Sequence, residues 1–232
     1  MSIDAPLVDV VFVHFNRPHE LLRSIESLRE HLHYPSLRWV VADDHSSEEA
    51  FEFVKAEVQP DLIFRTKERS GLGINTNNAL KQLASDFVFL TMDDRVLTRP
   101  IDLMPGVDVL TRYEEFGMVR YGGLLGHDIT CRLRTLNDAP PYYDVWEALK
   151  KESRFLFVYS GAPHLKHRRF HDAYGLYVEG YILGYTEEEF AHRFIDMEGP
   201  KIMCFPEHVV NYFDHIGHSW QLTEHDIGKR RA

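Results

Sequence analysis

The residues of this chain best suited to chemistry are two pairs of adjacent aspartates, each at the end of an apolar segment. Asp93 and Asp94 follow residues 87–92, and Asp43 and Asp44 follow residues 37–42. Both segments have the composition of buried strands, and open α/β sheets bind ligands at the carboxyl ends of their strands. Carboxylate oxygens are ligands that Mg²⁺ shares with substrate phosphates. The two pairs therefore predict a metal and phosphate site at one sheet edge.

Each pair also has a purely structural interpretation. Asp93 and Asp94 could form an acidic turn after a strand, and Asp43 or Asp44 could cap the following helix with the help of Ser46. Four carboxylates at one edge are costly unless cations or hydrogen-bond donors lie among them. The occurrence of both pairs at the same predicted edge favours a binding site.

The elements that must position these residues alternate between strand and helix in the first hundred residues. Apolar runs of strand length are followed by segments with helical spacing of leucine and isoleucine. This alternation predicts an α/β fold with a mostly parallel central sheet and helices on both faces. The predicted strands lie at 7–15, 37–42, 62–65 and from 87, the predicted helices lie from 18, at 48–58 and at 76–83, and residues 71–75 are predicted to be a loop.

The second half of the chain is less regular. It predicts strands at 118–125, 154–160 and 201–205 and a short helix at 187–194. No flexible linker separates the halves, so all 232 residues are expected to form a single domain.

Composition excludes several classes of protein. The net charge of −10 argues against non-specific binding to nucleic acid. The two cysteines, Cys131 and Cys204, are too few and too distant for a disulfide framework, and the chain shows neither a signal peptide nor an apolar run of membrane-spanning length. A cytoplasmic protein without a transmembrane segment is expected. Glycine motifs of dinucleotide-binding and P-loop proteins are also missing from the sequence.

Four segments together resemble the large family of inverting GT-A glycosyltransferases, which includes cellulose synthase and many bacterial polysaccharide transferases. They are residues 10–18, residues 41–47, Gly71-Leu72-Gly73 with Asn77, and residues 90–94. The resemblance implies the GT-A fold and a metal-dependent, inverting transfer of a hexosyl or related sugar. A nucleotide-diphosphate sugar would be the donor, and a hydroxyl of a glycan or another molecule the acceptor. Residues 1–100 would bind the nucleotide sugar, and residues 101–232 the acceptor.

The resemblance also implies roles for individual residues. Asp44 matches the acid that contacts the nucleotide base, Asp93 would lie beside the ribose, and Asp94 would bind Mn²⁺ or Mg²⁺ on the donor diphosphate. Met92 departs from the family pattern, because it stands where the metal-binding motif has its first acid. The other residues expected to bind the nucleotide sugar are Val13, Phe15, Asn16, Asp43, Gly71 and Asn77.

The family's catalytic base is an acid late in the chain, followed by an apolar residue and an arginine. Residues 186–193 fit this pattern, with Glu187 or Glu188 as the base that takes the acceptor proton. The alternative is an acidic first helical turn in solvent. His215 or His218 resembles a late histidine that completes the metal site, and imidazole suits Mn²⁺ better than Mg²⁺.

The segment 164–171 contains three histidines and three basic residues. Zinc is disfavoured there, because no cysteine or acid stands at a zinc-ligand spacing. The segment is instead expected to lie on the surface, or over the acceptor side where it could contact phosphates.

Two other functions remain open from the sequence. A sugar nucleotidyltransferase also places acids on a metal, but it normally carries a glycine-rich motif with a basic residue near its N-terminus, which this chain lacks. A degenerate nucleotide-sugar-binding module without catalysis would account for Met92.

Overall fold

Thirteen strands form three sheets in the computed structural model of the protein, which describes residues 5–122, 130–149, 158–159, 161–180, 183–208 and 212–217. In chain order the strands are β1 (Val8–His14), β2 (Leu32–His33), β3 (Leu37–Asp43), β4 (Leu62–Arg65), β5 (Phe87–Met92), β6 (Arg95–Leu97), β7 (Ile101–Asp102), β8 (Phe116–Arg120), β9 (Cys131–Leu136), β10 (Tyr143–Ala148), β11 (His164–His167), β12 (Lys201–Cys204) and β13 (Phe213–His215).

The central sheet has nine strands in the order β4-β3-β1-β5-β11-β8-β12-β10-β9. The first four strands are parallel, and β8 is parallel to β12, whereas β11 and β10 run antiparallel to both of their neighbours. Seven of the nine strands therefore point in one direction, which confirms the predicted, mostly parallel sheet. Strands from both halves of the chain share this sheet.

Helices cover both faces of the sheet, as predicted. Val10 and Phe12 face a core that includes residues of α1, whereas Val11 and Val13 face a second core that includes residues of α6. This division follows from the alternation of side chains along a strand. None of the described helices is both long and apolar enough to cross a membrane. The helices are α1 (Pro18–His31), α2 (Glu48–Phe53), α3 (Leu72–Leu80), α4 (Met104–Arg112), α5 (Arg169–Tyr174) and α6 (Leu183–Asp196), and α2 continues as a π-helical turn at Val54–Val58.

Several predicted boundaries were wrong. Helix α3 begins at Leu72, so most of the predicted loop 71–75 is helical. Only Gly71 keeps a loop conformation, with φ of +86°, which favours glycine. Gly73 lowers helical propensity but lies against the carbonyl of Val178, where a Cβ would clash. Strand β8 spans Phe116–Arg120 instead of 118–125, α6 is longer than predicted at both ends, and the strand predicted at 154–160 lies largely outside the described residues.

The first half of the histidine-rich segment, residues 164–167, does not lie on the surface, which corrects the prediction for this part of residues 164–171, whereas Arg168 is exposed. Residues 164–167 form β11 between β5 and β8 in the middle of the sheet. Lys166 is fully buried, and its Nζ lies 3.0 Å from the hydroxyl of Tyr177, 3.3 Å from the hydroxyl of Tyr159 and 2.8 Å from Nε2 of His171. Burial holds the pKa of Lys166 well below its usual value.

Lys166→Met is expected to reduce the pH dependence of the free energy of unfolding. Because the pKa of Lys166 is lowered in the folded state, the unfolded chain binds more protons between the two pKa values, and stability is lost as the pH falls through this window. Methionine does not titrate, so the variant should lose less stability than the parent as the pH falls from about 10, near the unfolded pKa of lysine, to 7.

Urea unfolding at pH 7 and pH 10 measures this difference. Lys81→Met is the control, because Lys81 is 58% exposed and contacts Glu179 at 3.4 Å on the surface. Equal pH dependence in Lys166→Met and the parent would show that Lys166 stays charged in the folded protein.

Candidate active site at the carboxyl edge of the parallel strands

The two aspartate pairs lie at the same edge of the sheet, on either side of β1. In the strand register His14 is opposite Asp43 of β3, and Val13 is opposite Met92 of β5. Parallel neighbouring strands end at the same edge of the sheet, so both aspartate pairs lie at this edge. The predicted juxtaposition of the four carboxylates is therefore present, with the end of β1 between them.

Asp93 is completely buried and is held by the end of β1. Its Oδ2 lies 3.0 Å from Nδ1 of His14 and accepts the backbone N–H of Phe15 at 3.3 Å, and Nη2 of Arg17 lies 2.8 Å from its Oδ1. Burial raises the pKa of Asp93, whereas the His14 hydrogen bond and the Arg17 charge oppose this rise. These partners fix Asp93 at the site where a ribose is predicted.

Asp94 has the surroundings of a metal ligand. Its Oδ2 lies 2.6 Å from Nη1 of Arg17 and 3.1 Å from Nε2 of His215, while its buried Oδ1 has no hydrogen-bond partner. The backbone N–H of Ile216 donates to the Asp94 carbonyl at 3.0 Å, which brings the chain around β13 to this edge. A carboxylate and an imidazole at this separation fit a Mn²⁺ ion with two protein ligands.

The protein supplies only part of a metal coordination shell. Within the described ranges, no group of three or more histidine, cysteine or acidic side chains could hold a metal ion. Met92 accounts for one missing oxygen ligand, and His218 lies outside the described residues. Phosphate oxygens and water would have to provide the remaining ligands, as is usual for Mg²⁺ sites on substrate phosphates.

Asp44 holds the loop before α3 instead of capping α2. Its Oδ1 accepts the backbone N–H of Ser70 at 2.7 Å, and its Oδ2 accepts that of Gly71 at 2.8 Å. Helix α2 is capped by Ser47, whose hydroxyl accepts the N–H of Ala50 at 3.2 Å. Burial raises the pKa of Asp44, and the two N–H groups oppose the rise. The carboxylate is thus fixed beside the predicted base pocket.

Asp44→Ala is expected to weaken the binding of nucleoside diphosphates with and without metal. It should also lower the free energy of unfolding by about 1–3 kcal/mol, because two backbone N–H groups lose their acceptor. Calorimetric titration and urea unfolding measure the two effects. The control is Asp61→Ala, which removes an exposed carboxylate that accepts the N–H of Trp39 at 2.6 Å at the other end of β3. Lower stability with unchanged nucleotide binding would leave Asp44 with a structural role alone.

Other residues predicted to bind the nucleotide sugar connect the loops of this edge. Asn16, with φ of +50°, donates its N–H to the Ser46 hydroxyl at 2.9 Å, and its side-chain oxygen accepts the N–H of Ser47 at 2.8 Å. The hydroxyl of Ser46 in turn donates to Oδ1 of Asp43, whose Oδ2 lies 3.3 Å from Nε of Arg65. Asp43 is therefore held by Ser46 of its own loop and paired with Arg65 at the end of β4.

Phe15 and Val13 border the same edge. The guanidinium carbon of Arg69 lies 4.4 Å from the centre of the Phe15 ring, and the carbonyl of Val13 accepts the N–H of Asp93 at 3.1 Å. Asn77 instead contacts the second half of the chain, because its amide exchanges hydrogen bonds of 2.9 and 3.0 Å with the backbone of Tyr177. Roles of these residues in nucleotide binding stay predictions.

Glu187 points toward the end of β5, as a catalytic base would. Its Oε1 accepts the backbone N–H of Gly161, and a Cβ at Gly161 would lie 3.8 Å from Sδ of Met92. Burial raises the pKa of Glu187, and the Gly161 hydrogen bond and the charges of Arg95 and Arg120 oppose this rise. The carboxylate is thus held at the same edge as Asp94, with Arg95 interacting electrostatically with both acids.

Glu188 faces solvent. Its side chain is 47% exposed and lies 4.0 Å from Nε2 of His192, one helical turn away. The structure therefore favours Glu187 over Glu188 for a role at the sheet edge, although the catalytic assignment remains a prediction.

Three cations of the site were missed from the sequence. Arg17 bridges Asp93 and Asp94, Arg95 has its Nε 3.8 Å from Oδ1 of Asp94, and buried Arg120 has its pKa lowered to about 10 by burial. Arg17 follows β1 at the edge predicted for the carboxylates, so its position in the sequence could have revealed it. Arg120 gives no such indication, because it lies in a strand whose end was predicted elsewhere.

The protein-family model described as Glycosyl transferase family 2 matches residues 9–124. The comparison with curated proteins gives no match.

Several solved structures share the fold. S. aureus TarS 1-349 has a TM-score of 0.64 at 16% identity and covers 89% of this chain and 59% of its own. GalNAc-T7 with UDP, GalNAc and Mn²⁺ has a TM-score of 0.61 at 17% identity, with 88% and 43% covered. The mannosyltransferase PcManGT from Pyrobaculum calidifontis, in complex with GDP-Man and Mn²⁺, has a TM-score of 0.57 at 20% identity, with 90% and 58% covered. The chain spans about half the length of these structures, and the similarities confirm the GT-A fold.

Proposed function

Because the chain belongs to glycosyl transferase family 2, we propose that it transfers a sugar from a nucleoside-diphosphate donor to a hydroxyl of a glycan or another acceptor. The transfer depends on Mn²⁺ or Mg²⁺ and inverts the anomeric carbon. Complexes of fold neighbours with UDP or GDP-Man and Mn²⁺ support the choice of donor and metal.

The observation that carries this proposal is the convergence of two different acids at one sheet edge. Asp94, with His215 at 3.1 Å, is suited to a metal on the diphosphate. Glu187, held by the backbone of Gly161 beside Met92, is suited to a proton acceptor. A non-catalytic binding module needs the metal-binding acid, whereas only a transferase needs the proton acceptor as well.

In the proposed reaction Asp94 and His215 would hold the divalent ion, and the ion would offset the charge that develops on the leaving diphosphate. The loops of Asp44 and Asp93 hold the base and the ribose. The carboxylate of Glu187 removes the proton of the acceptor hydroxyl as its oxygen attacks the anomeric carbon. Burial suits this task, because a raised pKa makes the carboxylate a stronger base near neutral pH.

We assign the donor to residues 1–100 and the acceptor mainly to residues 101–232. The first half supplies the aspartate pairs and the loops that hold them, and the second half supplies Glu187 and His215. A single domain with its site between the halves is consistent with the shared central sheet.

The test is a donor screen with product analysis. The protein is incubated with UDP-GlcNAc or GDP-Man and Mn²⁺, and the products are separated by ion-exchange chromatography. A transferase slowly releases UDP or GDP by transfer to water, and faster release follows when an acceptor is present. In a parallel incubation with added pyrophosphate, formation of the nucleoside triphosphate and the sugar 1-phosphate would indicate a nucleotidyltransferase. Binding without any release would indicate a non-catalytic module.

A further inference from the structure

The guanidinium of Arg17 occupies the position at Asp94 where a divalent ion is expected. Its Nη1 lies 2.6 Å from Oδ2 of Asp94 and its Nη2 lies 2.8 Å from Oδ1 of Asp93. One planar cation therefore spans both carboxylates, a geometry to which arginine is well suited. Both aspartates are buried, whereas the Arg17 side chain is 31% exposed.

The space around Oδ2 of Asp94 is already filled. Besides Arg17, this oxygen has His215 at 3.1 Å, and a Cβ on Gly217 would clash with both Asp94 and Arg17. A metal ion that binds Oδ2 must therefore displace the guanidinium. The Arg17 side chain is partly exposed and can turn toward solvent, whereas the buried carboxylate has no such freedom.

Charge balance indicates when this displacement is favourable. Arg17 and Arg95 already offset the charges of Asp93 and Asp94, so an added divalent ion would leave an excess of positive charge around this aspartate pair. A bound diphosphate would remove this excess and would offer Arg17 new oxygen acceptors. Arginine and phosphate form strong, often bidentate, hydrogen bonds.

We propose that Arg17 is an internal counter-cation that holds Asp94 in the free protein and moves to the donor diphosphate when the metal takes its place. The metal and the nucleoside diphosphate then bind together, and each binds weakly alone. Arg17 is thereby a residue of the donor site, a role that extends the proposed function and rests on it.

The decisive measurement needs no donor. Binding of Mn²⁺ to the nucleotide-free protein is followed by electron paramagnetic resonance, which detects the free aqueous ion. Arg17→Gln is expected to bind Mn²⁺ at least about tenfold more tightly than the parent, because its carboxylates lose their competing cation; tenfold corresponds to about 1.4 kcal/mol. Adding Asp94→Asn to this variant should abolish the gain.

Two further variants control for charge and folding. Arg23→Gln removes the same charge from an exposed position of α1, where no ion pair is seen among the described residues, and should leave Mn²⁺ affinity unchanged. Arg17→Lys keeps a cation without the planar fork and should give an affinity between those of the parent and Arg17→Gln. It also provides the comparison if Arg17→Gln does not fold.

The second readout is the coupling between metal and nucleotide. In the parent, UDP or GDP should raise the affinity for Mn²⁺ by some factor. Because coupling is reciprocal, Mn²⁺ should raise the affinity for the nucleotide by the same factor. Arg17→Gln should shrink this factor, because it removes the arginine contact to the diphosphate and weakens binding of the same nucleotide to the Mn²⁺-loaded protein by about tenfold.

Mn²⁺ affinity that is equal in the parent, Arg17→Lys and Arg17→Gln would overturn the proposal. Tighter Mn²⁺ binding in Arg17→Gln without any binding of UDP or GDP would support the competition at Asp94 and overturn the proposed function instead. The two failures are therefore distinguishable.

Discussion

Glu187→Gln is expected to lower the rate of sugar transfer by roughly 10²–10⁴-fold, the usual contribution of a general base. The amide can still accept the hydrogen bond from the N–H of Gly161, so the local backbone should be retained. Donor affinity should also persist, because Glu187 is assigned to the acceptor proton and not to the diphosphate. The loss should therefore fall on kcat, with little change in the KM for the donor.

The pH profile provides a second test of Glu187. Since burial raises its pKa, activity of the parent should increase with pH through a limb that lies above the ordinary glutamate pKa. A general base works only in its deprotonated form, so activity should rise with pH. Residual activity of the glutamine variant should lack this limb.

Glu188→Gln is the matched control. The two glutamates are neighbours on α6, but a helix turns successive side chains about 100° apart, and Glu188 contacts His192 in solvent. Loss of activity in Glu188→Gln with retention in Glu187→Gln would place the base one residue later. Full activity of both variants would show that the catalytic base does not lie on α6.

The position of the four carboxylates at one sheet edge could be predicted from the sequence, because a simple rule governs where strand ends lie. An apolar strand that stops at two carboxylates places them at the carboxyl end, and parallel neighbours share that end. The Asp43-Asp44 and Asp93-Asp94 pairs obey this rule with β1 between them.

The partners of these acids could not be predicted in the same way. Whether Asp44 binds a helix or a loop depends on where Ser70 and Gly71 come to lie, 26 and 27 residues along the chain. The placement of Glu187 beside Met92 depends on Gly161, in an irregular part of the chain. Such contacts are set by tertiary packing, which leaves no periodic pattern in the sequence.

Strand β11 shows the limit of hydrophobic patterns. The sequence His-Leu-Lys-His has one aliphatic residue in four, so it indicates a surface segment by polarity alone. In the structure it is a central strand, because Lys166 finds the hydroxyls of Tyr159 and Tyr177 and a nitrogen of His171. Polar side chains can be buried when each finds a hydrogen-bond partner, and these partners were not visible in the local sequence.

Asp94→Asn is expected to abolish the metal-dependent part of donor binding. A nucleoside diphosphate with Mn²⁺ at one hundred times its Kd should stabilise the parent by about 2.7 kcal/mol, which for a chain of this size is a rise in Tm of roughly 5–11 °C. The asparagine variant keeps the size of the side chain but loses the charge that holds the ion. It should show only the smaller shift produced by the nucleotide alone.

Transfer should fall further than binding in this variant. The ion offsets charge that is greatest as the diphosphate leaves, so its loss acts on the transition state more than on the bound donor. A decrease of about 10³-fold in kcat/KM is expected, similar to the loss of one electrostatic stabiliser in other enzymes.

Asp108→Asn separates this effect from the general cost of breaking an aspartate–arginine pair. Asp108 pairs with Arg112 at 2.9 Å on α4, and its loss should change neither the Mn²⁺-dependent Tm shift nor transfer. If Asp94→Asn kept the full Mn²⁺-dependent shift, the ion would bind elsewhere, and the pairing of Asp94 with Arg17 and His215 would be a structural contact only. If it lost the shift together with transfer, Asp94 would be the acid that brings metal and donor to the same edge as Glu187.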